Sequence, residues 1–388
     1  MKQKLRAKDF DVKLVVLLLA ISVIGVFAIG SAKESLQLRQ VMGLILGIFV
    51  MLLIAFMDYG IILKFYWPIY LGNIGLLVLV QLFGKSSHNA QRWIELAGIR
   101  FQPSESAKIL LILFLAQFIM KHREKLNTLP ILSLIMLLFA PVFILIYKQP
   151  DLSTSIMIVV IFCMVLYVGG LSHKLILAAL GILIPAAVVA MFLILQPDQD
   201  IVEDYQQERI LAWLEPEKYA LTTAYQQQNS ITAIGSGQLW GKGLNNNEVG
   251  SVKNGNYISE PQTDFIFAII GEEMGFVGTT VVIVLLTLIS AECFAVGRKA
   301  RDLAGRIIAF GMGSLVCAQS FIHIGVNMGL LPNTGLPLPF VSYGLTSLVS
   351  LYAGMGFVLS VGLRRPQPRP SGTVSFTELL QEEMNVDM

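Results

Sequence analysis

Phe101-Gln-Pro-Ser-Glu-Ser-Ala-Lys-Ile-Leu-Leu-Ile-Leu-Phe-Leu-Ala-Gln-Phe-Ile-Met120 decides how this chain is organised, because it is the apolar run whose status is in question. Its apolar part, Ala107 to Met120, is 14 residues long, whereas a helix needs about 20 to cross a bilayer. Counted as a span it gives ten; counted as re-entrant it turns everything downstream over. Lysine and arginine arbitrate, since cytoplasmic loops accumulate positive charge. With the segment spanning and both termini inside, 17 of the 28 lie on the cytoplasmic side, among them Lys64, Lys121, Arg123, Lys125, Lys174, Arg298, Lys299, Arg301, Arg306, Arg364 and Arg365. Without it the inside holds 11 against 17 outside, so the segment is read as a span.

Composition points the same way. Hydrophobic residues make up 55% of the 388, charged residues 14%, and mean hydropathy is +0.69. That excludes a water-soluble globule, and length here counts spans rather than domains. Apolar runs fall at roughly 12 to 30, 41 to 57, 66 to 83, 101 to 120, 130 to 147, 152 to 170, 173 to 195, 264 to 291, 304 to 330 and 340 to 363. The basic start, Lys2, Lys4, Arg6 and Lys8, precedes an apolar run without a small-residue cleavage site and reads as an uncleaved anchor. Cys163, Cys293 and Cys317 lie in or beside apolar runs and read as packing residues. The expected fold is therefore an all-α integral membrane protein of about ten transmembrane helices with both termini cytoplasmic. A basic start (1–11), a polytopic domain (12–363) and a disordered tail (364–388) are expected, with one long extracytoplasmic loop, 196–262, between spans seven and eight.

In this topology Glu105, Lys108, Asp151 and Asp264 come out at one face from the ends of separate spans. Ionisable groups at the edge of hydrocarbon are costly without a partner or a task, so this cluster is the candidate site. Glu105 and Lys108 are three apart on a helix expected to start near Pro103, so they share a face; a structural ion pair tethering span four is the plainer alternative. Arg92 offers bidentate contacts to an anion, or anchors the interface beside Trp93. Asp151 and Asp264 each sit where they could simply cap a helix.

Other features read more weakly. Glu272 and Glu273 would lie ~12 to 14 Å inward of Asp264 on a continuous helix. They must then face protein or a cavity, or else Asp264 to Ile270 is a separate segment and the span begins near Gly271; a structural network is favoured. His323 is expected to hydrogen-bond a neighbouring helix, and Pro332, Pro337 and Pro339 to stiffen an outer turn. Val202 to Tyr219 reads as a short helix on the membrane surface, and Gly235 to Gly255 as a mobile stretch. Gly235-Ser-Gly-Gln-Leu-Trp-Gly-Lys-Gly243 lacks the spacing and the final Ser or Thr of a phosphate loop, and reads as a turn.

Five stretches together resemble a known family: Asn89-Ala-Gln-Arg-Trp-Ile94 with Phe101 to Lys108, Gln149-Pro-Asp-Leu-Ser-Thr154, Thr263-Asp-Phe-Ile-Phe-Ala-Ile-Ile-Gly-Glu-Glu273, and Gly329-Leu-Leu-Pro-Asn-Thr-Gly-Leu-Pro-Leu-Pro-Phe-Val-Ser-Tyr-Gly344. They are similar to the SEDS family, the RodA and FtsW proteins of bacterial shape, elongation, division and sporulation. Asn89 and Leu345 stand where the family commonly has glycine. Gly335-Leu-Pro-Leu-Pro339 and Lys148-Gln-Pro-Asp151 lean toward RodA, and Ile270-Gly-Glu-Glu273 toward FtsW; RodA is slightly favoured.

The resemblance implies a ten-helix peptidoglycan glycosyltransferase of the bacterial cytoplasmic membrane that polymerises lipid II on the outer face, alongside a class B penicillin-binding protein that cross-links the glycan. It puts the family's catalytic aspartate on Asp264 and marks Glu105, Lys108 and Asp151 as site residues. Lys108 and Arg92 would then hold diphosphate oxygens, and Glu105 would orient Lys108. The implied partners are lipid II, a polyprenyl-diphosphate-linked glycan and membrane lipids, with no nucleic acid. No cofactor is evident, and a divalent-cation requirement cannot be read from the residues. Two other classes stay open: a flippase or transporter of polyprenyl-linked sugars, which needs charges near the midplane and usually repeated halves, and a non-catalytic scaffold for the wall-synthesis complex.

Overall fold

A computed structural model describes residues 10–87, 90–96, 99–149, 151–196, 202–245, 251, 255 and 257–365. The basic start before Phe10, Asn89, Pro150 and the tail from Pro366 lie outside these residues.

Ten helices stand where the ten apolar runs were read: α1 (Val12–Ala32), α2 (Glu34–Phe56), α4 (Tyr66–Phe83), α5 (Pro103–Lys121), α6 (Leu129–Tyr147), α7 (Leu152–Gly169), α8 (His173–Ile194), α11 (Ile266–Arg298), α12 (Leu303–Asn327) and α13 (Leu345–Leu363). Short α3 (Tyr59–Ile62) turns the chain between α2 and α4. Among the described residues, nine helices are long and apolar enough to cross a membrane, α4 being counted together with the α3 corner, while α7 offers a shorter apolar stretch, Ser153–Gly169. The molecule is a multi-pass membrane protein.

The doubtful segment turns out to be the centre. α5 has 19 residues, ~28 Å at 1.5 Å each, and is enclosed by α4, α7, α12 and α13. Its apolar run is short because it barely meets lipid: 83% of it is buried within the protein, so Glu105 and Lys108 find protein partners rather than hydrocarbon. α8 is the opposite case, with its apolar surface turned outward.

The turn regions differ most from expectation. The stretch 84–106, read from the sequence as a loop, carries a three-stranded antiparallel sheet, β1 (Lys85–Ser87), β2 (Ala90–Leu96) and β3 (Ile99–Phe101), in the order β1-β2-β3. This adds a small β element to an otherwise helical fold. The two-residue period of β2 puts Arg92 and Ile94 on one face; Ile94 is buried, and Arg92 reaches the start of α7. The 196–262 loop carries two helices, α9 (Asp204–Leu214) within the expected surface segment and α10 (Tyr225–Ser236), which was not expected. α10 has no apolar stripe to betray it. Its inward face is Gln227, Ser230 and Ala233, and it docks by hydrogen bonds from Gln227 to the carbonyls of Val326 and Leu331 (2.8 Å each) and from Ser230 to that of Asn327 (2.9 Å).

The turn after α10 was expected to be mobile, yet residues 237–243 are bonded into α11. At Gly275 the α11 backbone leaves the helix (φ 66°, ψ −161°), separating a first segment, Ile266 to Met274, from the long span that follows. The break frees backbone groups that must be satisfied inside the protein. Lys242 and Gly243 donate to the carbonyls of Glu272 and Glu273, while Phe276 and Val277 donate to those of Gln238 and Leu239, at 2.8 to 3.2 Å. So the separate-segment reading of Asp264 to Ile270 holds, with the break four residues later than expected. Glu272 sits there as a buried partner of Lys242, 2.9 Å away, and Ser31 donates to Glu273. This is the structural network expected of the two glutamates.

At the other end of the bundle Asp58 faces Arg301 at 3.1 Å and Arg364 at 3.5 Å, joining the α3 corner to the start of α12 and the end of α13. Buried Arg364 also donates to the last carbonyls of α2, at Ala55 (3.2 Å) and Phe56 (2.9 Å).

Candidate active site

The residues expected to form the site converge on the proline-containing segment between α12 and α13, residues 328–344. Three prolines limit its backbone freedom, and several of its carbonyls are taken up by side chains from α7, α9, α10 and α12. Gln319 of α12 donates to the Pro337 carbonyl (2.8 Å), Arg209 of α9 to that of Asn333 (3.4 Å), Trp213 to that of Gly329 (3.1 Å), and Ser153 of α7 to that of Thr334. His323 Nδ1 donates to the Leu336 carbonyl (2.6 Å), so its partner is this loop and not the neighbouring helix expected.

Asp264 lies against the same loop. An ideal Cβ placed on Gly335 would stand 3.4 Å from Asp264 Oδ2. The flanking backbone is pinned on both sides: Ser342 Oγ donates to the Thr263 carbonyl (2.7 Å), and Asn327 Nδ2 to the Asp264 carbonyl (3.1 Å). Asn327 is fully buried, and its Oδ1 accepts from the Ala268 N–H (3.2 Å), so one amide fixes both Asp264 and the start of α11. The N-cap of α11 is Phe265, without a side-chain cap bond; the Asp264 carboxylate is therefore not spent on capping. It is set deep yet keeps part of its surface open. Burial pushes its carboxyl up to about 6 against the pull of Arg209, with Glu260 adding to the rise and Arg92 opposing it. Desolvation also pulls the Arg209 guanidinium down, countered chiefly by Asp264.

Asp151 serves two ends. Its carboxylate caps α7, accepting from the Thr154 N–H (3.1 Å) and hydroxyl (2.9 Å), and it faces Arg92 Nη1 at 4.0 Å. Arg92 Nε donates to the Gln149 carbonyl (3.2 Å), which holds the guanidinium over the turn that leads into α7.

Glu105 and Lys108 form the expected pair on the first turns of α5, Nζ to Oε1 2.8 Å, with both side chains almost wholly buried. Lys108 also donates to Gln319 Oε1 (3.1 Å), and Ser347 of α13 donates to Glu105 Oε2 (2.6 Å). The pair thus tethers α5 to α12 and α13, and through Gln319 it reaches the Pro337 carbonyl. Its connection to Asp264 runs through the loop.

Two side chains at the site were not singled out from the sequence, Arg209 and Asn327. Arg209 had a signal, being the only arginine between residues 196 and 262; Asn327 had a weaker one, a polar amide at the end of an apolar run. Among the described residues no group of three or more His, Cys, Asp or Glu is gathered closely enough to hold a metal ion.

Comparison with known proteins agrees with this architecture. Residues 10–366 match the family model for FtsW, RodA and SpoVE, described as cell cycle proteins. The chain is 34% identical over 358 residues to the peptidoglycan glycosyltransferase MrdB of Escherichia coli K12, covering 92% of this chain and 94% of that protein. It is 34% identical over 304 residues to the probable peptidoglycan glycosyltransferase FtsW of Haemophilus influenzae, covering 77% and 73%. Among solved structures, a chain from a peptidoglycan synthase complex that coordinates polymerization and crosslinking superposes with a TM-score of 0.75 at 30% identity, over 92% of this chain and 99% of that one. The rod shape determining protein RodA of Thermus thermophilus does so with a TM-score of 0.67 at 28% identity, over 92% and 98%. Matched over nearly its whole length, the chain belongs to the FtsW/RodA/SpoVE family, the SEDS proteins.

Proposed function

We propose that this protein is a peptidoglycan glycosyltransferase working on the outer face of the bacterial cytoplasmic membrane, with Asp264 as its general base. The observation that carries the reading is the placement of Asp264: a partly exposed residue whose carboxyl burial pushes up to about 6, fixed by its neighbours' backbone contacts and flanked by Arg209 and Arg92. A base poised near neutral pH is ionised in use and still able to take a proton.

The reaction joins the GlcNAc 4-hydroxyl of lipid II to the anomeric carbon of a glycan carried on polyprenyl diphosphate. The hydroxyl oxygen attacks as its proton passes to Asp264, the bond from the anomeric carbon to the diphosphate oxygen breaks, and the diphosphate leaves on its lipid. Attack opposite the α-linked leaving group inverts the centre and yields a β-1,4 link. Diphosphate leaves without a protonating acid, so one carboxylate suffices where a glycosidase needs two. Developing negative charge on the diphosphate calls for cations, and arginine's fork suits phosphate oxygens. Arg92 and Arg209 take that role here, with Asp151 aiming Arg92 and the Glu105–Lys108 pair holding the proline loop in register. The lipid tails stay in the bilayer, which is why such an enzyme is built from membrane helices. A class B penicillin-binding protein is the partner proposed for cross-linking, supported by the likeness to a synthase complex that couples the two steps.

The test is reconstitution. Purified protein with its cognate transpeptidase and labelled lipid II is expected to make a polymer that lysozyme degrades. Transbilayer movement of lipid II without polymer would replace this reading with a flippase, and partner binding with neither activity would replace it with a scaffold.

A further inference from the structure

Three side chains on one face of α12 each hold a backbone carbonyl beside the contact between Gly335 and Asp264. Gln319, His323 and Asn327 follow one another at four-residue steps, so they line up along the helix. Gln319 Nε2 donates to the Pro337 carbonyl (2.8 Å), His323 Nδ1 to the Leu336 carbonyl (2.6 Å) and Asn327 Nδ2 to the Asp264 carbonyl (3.1 Å). One helix thus grips both partners of the contact.

The outer two are themselves held, since Lys108 donates to Gln319 Oε1 (3.1 Å) and the Ala268 N–H to Asn327 Oδ1 (3.2 Å). The middle one differs. His323 is 1% exposed, and among the described residues its Nε2 has no hydrogen-bond partner. A buried polar atom without a partner costs free energy, and an apolar side chain of similar size would fill the same space without that cost. Packing therefore does not account for a histidine here, and the Nδ1 bond does. That bond also fixes the tautomer, because a carbonyl can only accept and Nδ1 must carry the hydrogen.

Its target is a peptide with no other handle. The peptide between Leu336 and Pro337 has no N–H, so its carbonyl is the polar group by which the backbone can be held there. Leu336 follows Gly335, on which a Cβ would stand 3.4 Å from Asp264 Oδ2. Loss of the hold frees the loop at the residue next to the carboxylate.

We infer that His323 is a positioning residue for the transfer reaction: its Nδ1 bond to the Leu336 carbonyl fixes Gly335 against Asp264 while Asn327, one turn along α12, fixes the backbone of Asp264 itself. The inference rests on the transferase reading of the site.

Two amide substitutions separate this role from packing, because the amide nitrogen of asparagine stands where Nδ1 does in histidine and that of glutamine stands nearer Nε2. His323→Asn, His323→Gln and His323→Leu are compared with wild type in the reconstituted full-length protein, with its transpeptidase and labelled lipid II, reading kcat, KM and thermal unfolding. His323→Gln and His323→Leu are expected to lose about 10- to 100-fold in kcat with KM within about two-fold, the effect of misplacing a reacting group by about 1 Å. His323→Asn should keep kcat within about five-fold of wild type. Unchanged kcat in His323→Gln and His323→Leu, or equal loss in His323→Asn and His323→Gln, would overturn the inference. Should His323→Leu not fold, the comparison of His323→Asn with His323→Gln decides alone. No polymer from wild type would remove the transferase reading and this role with it, whereas polymer from wild type and undiminished variants removes the role alone.

Discussion

Gly335 and Asp264 are held face to face, with room for only one added atom between the loop backbone and the carboxylate: a Cβ on Gly335 would sit at van der Waals distance, 3.4 Å, from Oδ2. Gly335 also has φ +69°, a left-handed conformation that costs an ordinary L-residue roughly 1–2 kcal/mol. Gly335→Ala is therefore expected to lower stability by about that amount through the backbone, and to reduce polymerisation more than stability because the added methyl narrows the approach to the carboxylate. Gly335→Asn, which tolerates this φ better, should recover most of the stability and little of the activity. Thermal unfolding in detergent beside a polymerisation assay separates the two effects.

Asp264 should set the acid limb of the pH profile. A base must be deprotonated, so the rate should rise with pH, pass half-maximum near 6 and level off above. Arg209 holds that carboxyl down and Glu260 holds it up. Arg209→Gln is thus expected to move the midpoint to higher pH and Glu260→Gln to lower pH. Midpoints unmoved by either change would remove Arg209 from the electrostatics of the site.

The buried Glu105–Lys108 pair should behave as a unit. Removing one partner leaves the other charge buried, a loss of ~3–5 kcal/mol, whereas replacing both with neutral groups costs much less. Glu105→Gln and Lys108→Met are each expected to lower the melting temperature strongly, and the double variant to regain much of the loss. Activity should not return with stability, because Lys108→Met also releases Gln319 from its place under the Pro337 carbonyl. A double-mutant cycle on unfolding and on rate reads both.

The helical scaffold was legible because burial in lipid writes itself as long apolar runs, and Glu105, Lys108, Asp151 and Asp264 stood out because a charge at a run's end is conspicuous. The doubtful fourth run was resolved only by counting charge across the whole chain. What stayed hidden has no such signature. The β1–β3 sheet is seven residues or fewer per strand, too short for alternation to stand out beside Gly and Pro. α10 is held by Gln227 and Ser230 rather than an apolar stripe. The break in α11 depends on Gly275, one glycine among many until the turn at 237–243 is seen to satisfy its freed backbone. Arg209 and Asn327 act at the site through contacts more than 60 residues away in sequence for Asn327 and 124 for Arg209, and no local pattern records such distances.

Asp264→Asn tests the central claim most directly, since it keeps the shape and removes the base. The folded-state pKa is raised from 3.8 to about 6, so ionisation there costs stability above that range, by up to about 3 kcal/mol, and the cost shrinks as pH falls from 6 toward 4 and is gone below it. Asp264→Asn protein should therefore melt no lower than wild type at pH 8, bind lipid II comparably, and make no lysozyme-sensitive polymer. Polymer from that variant at a substantial fraction of the wild-type rate would contradict the account, because a carboxamide at that position can accept no proton from the attacking hydroxyl.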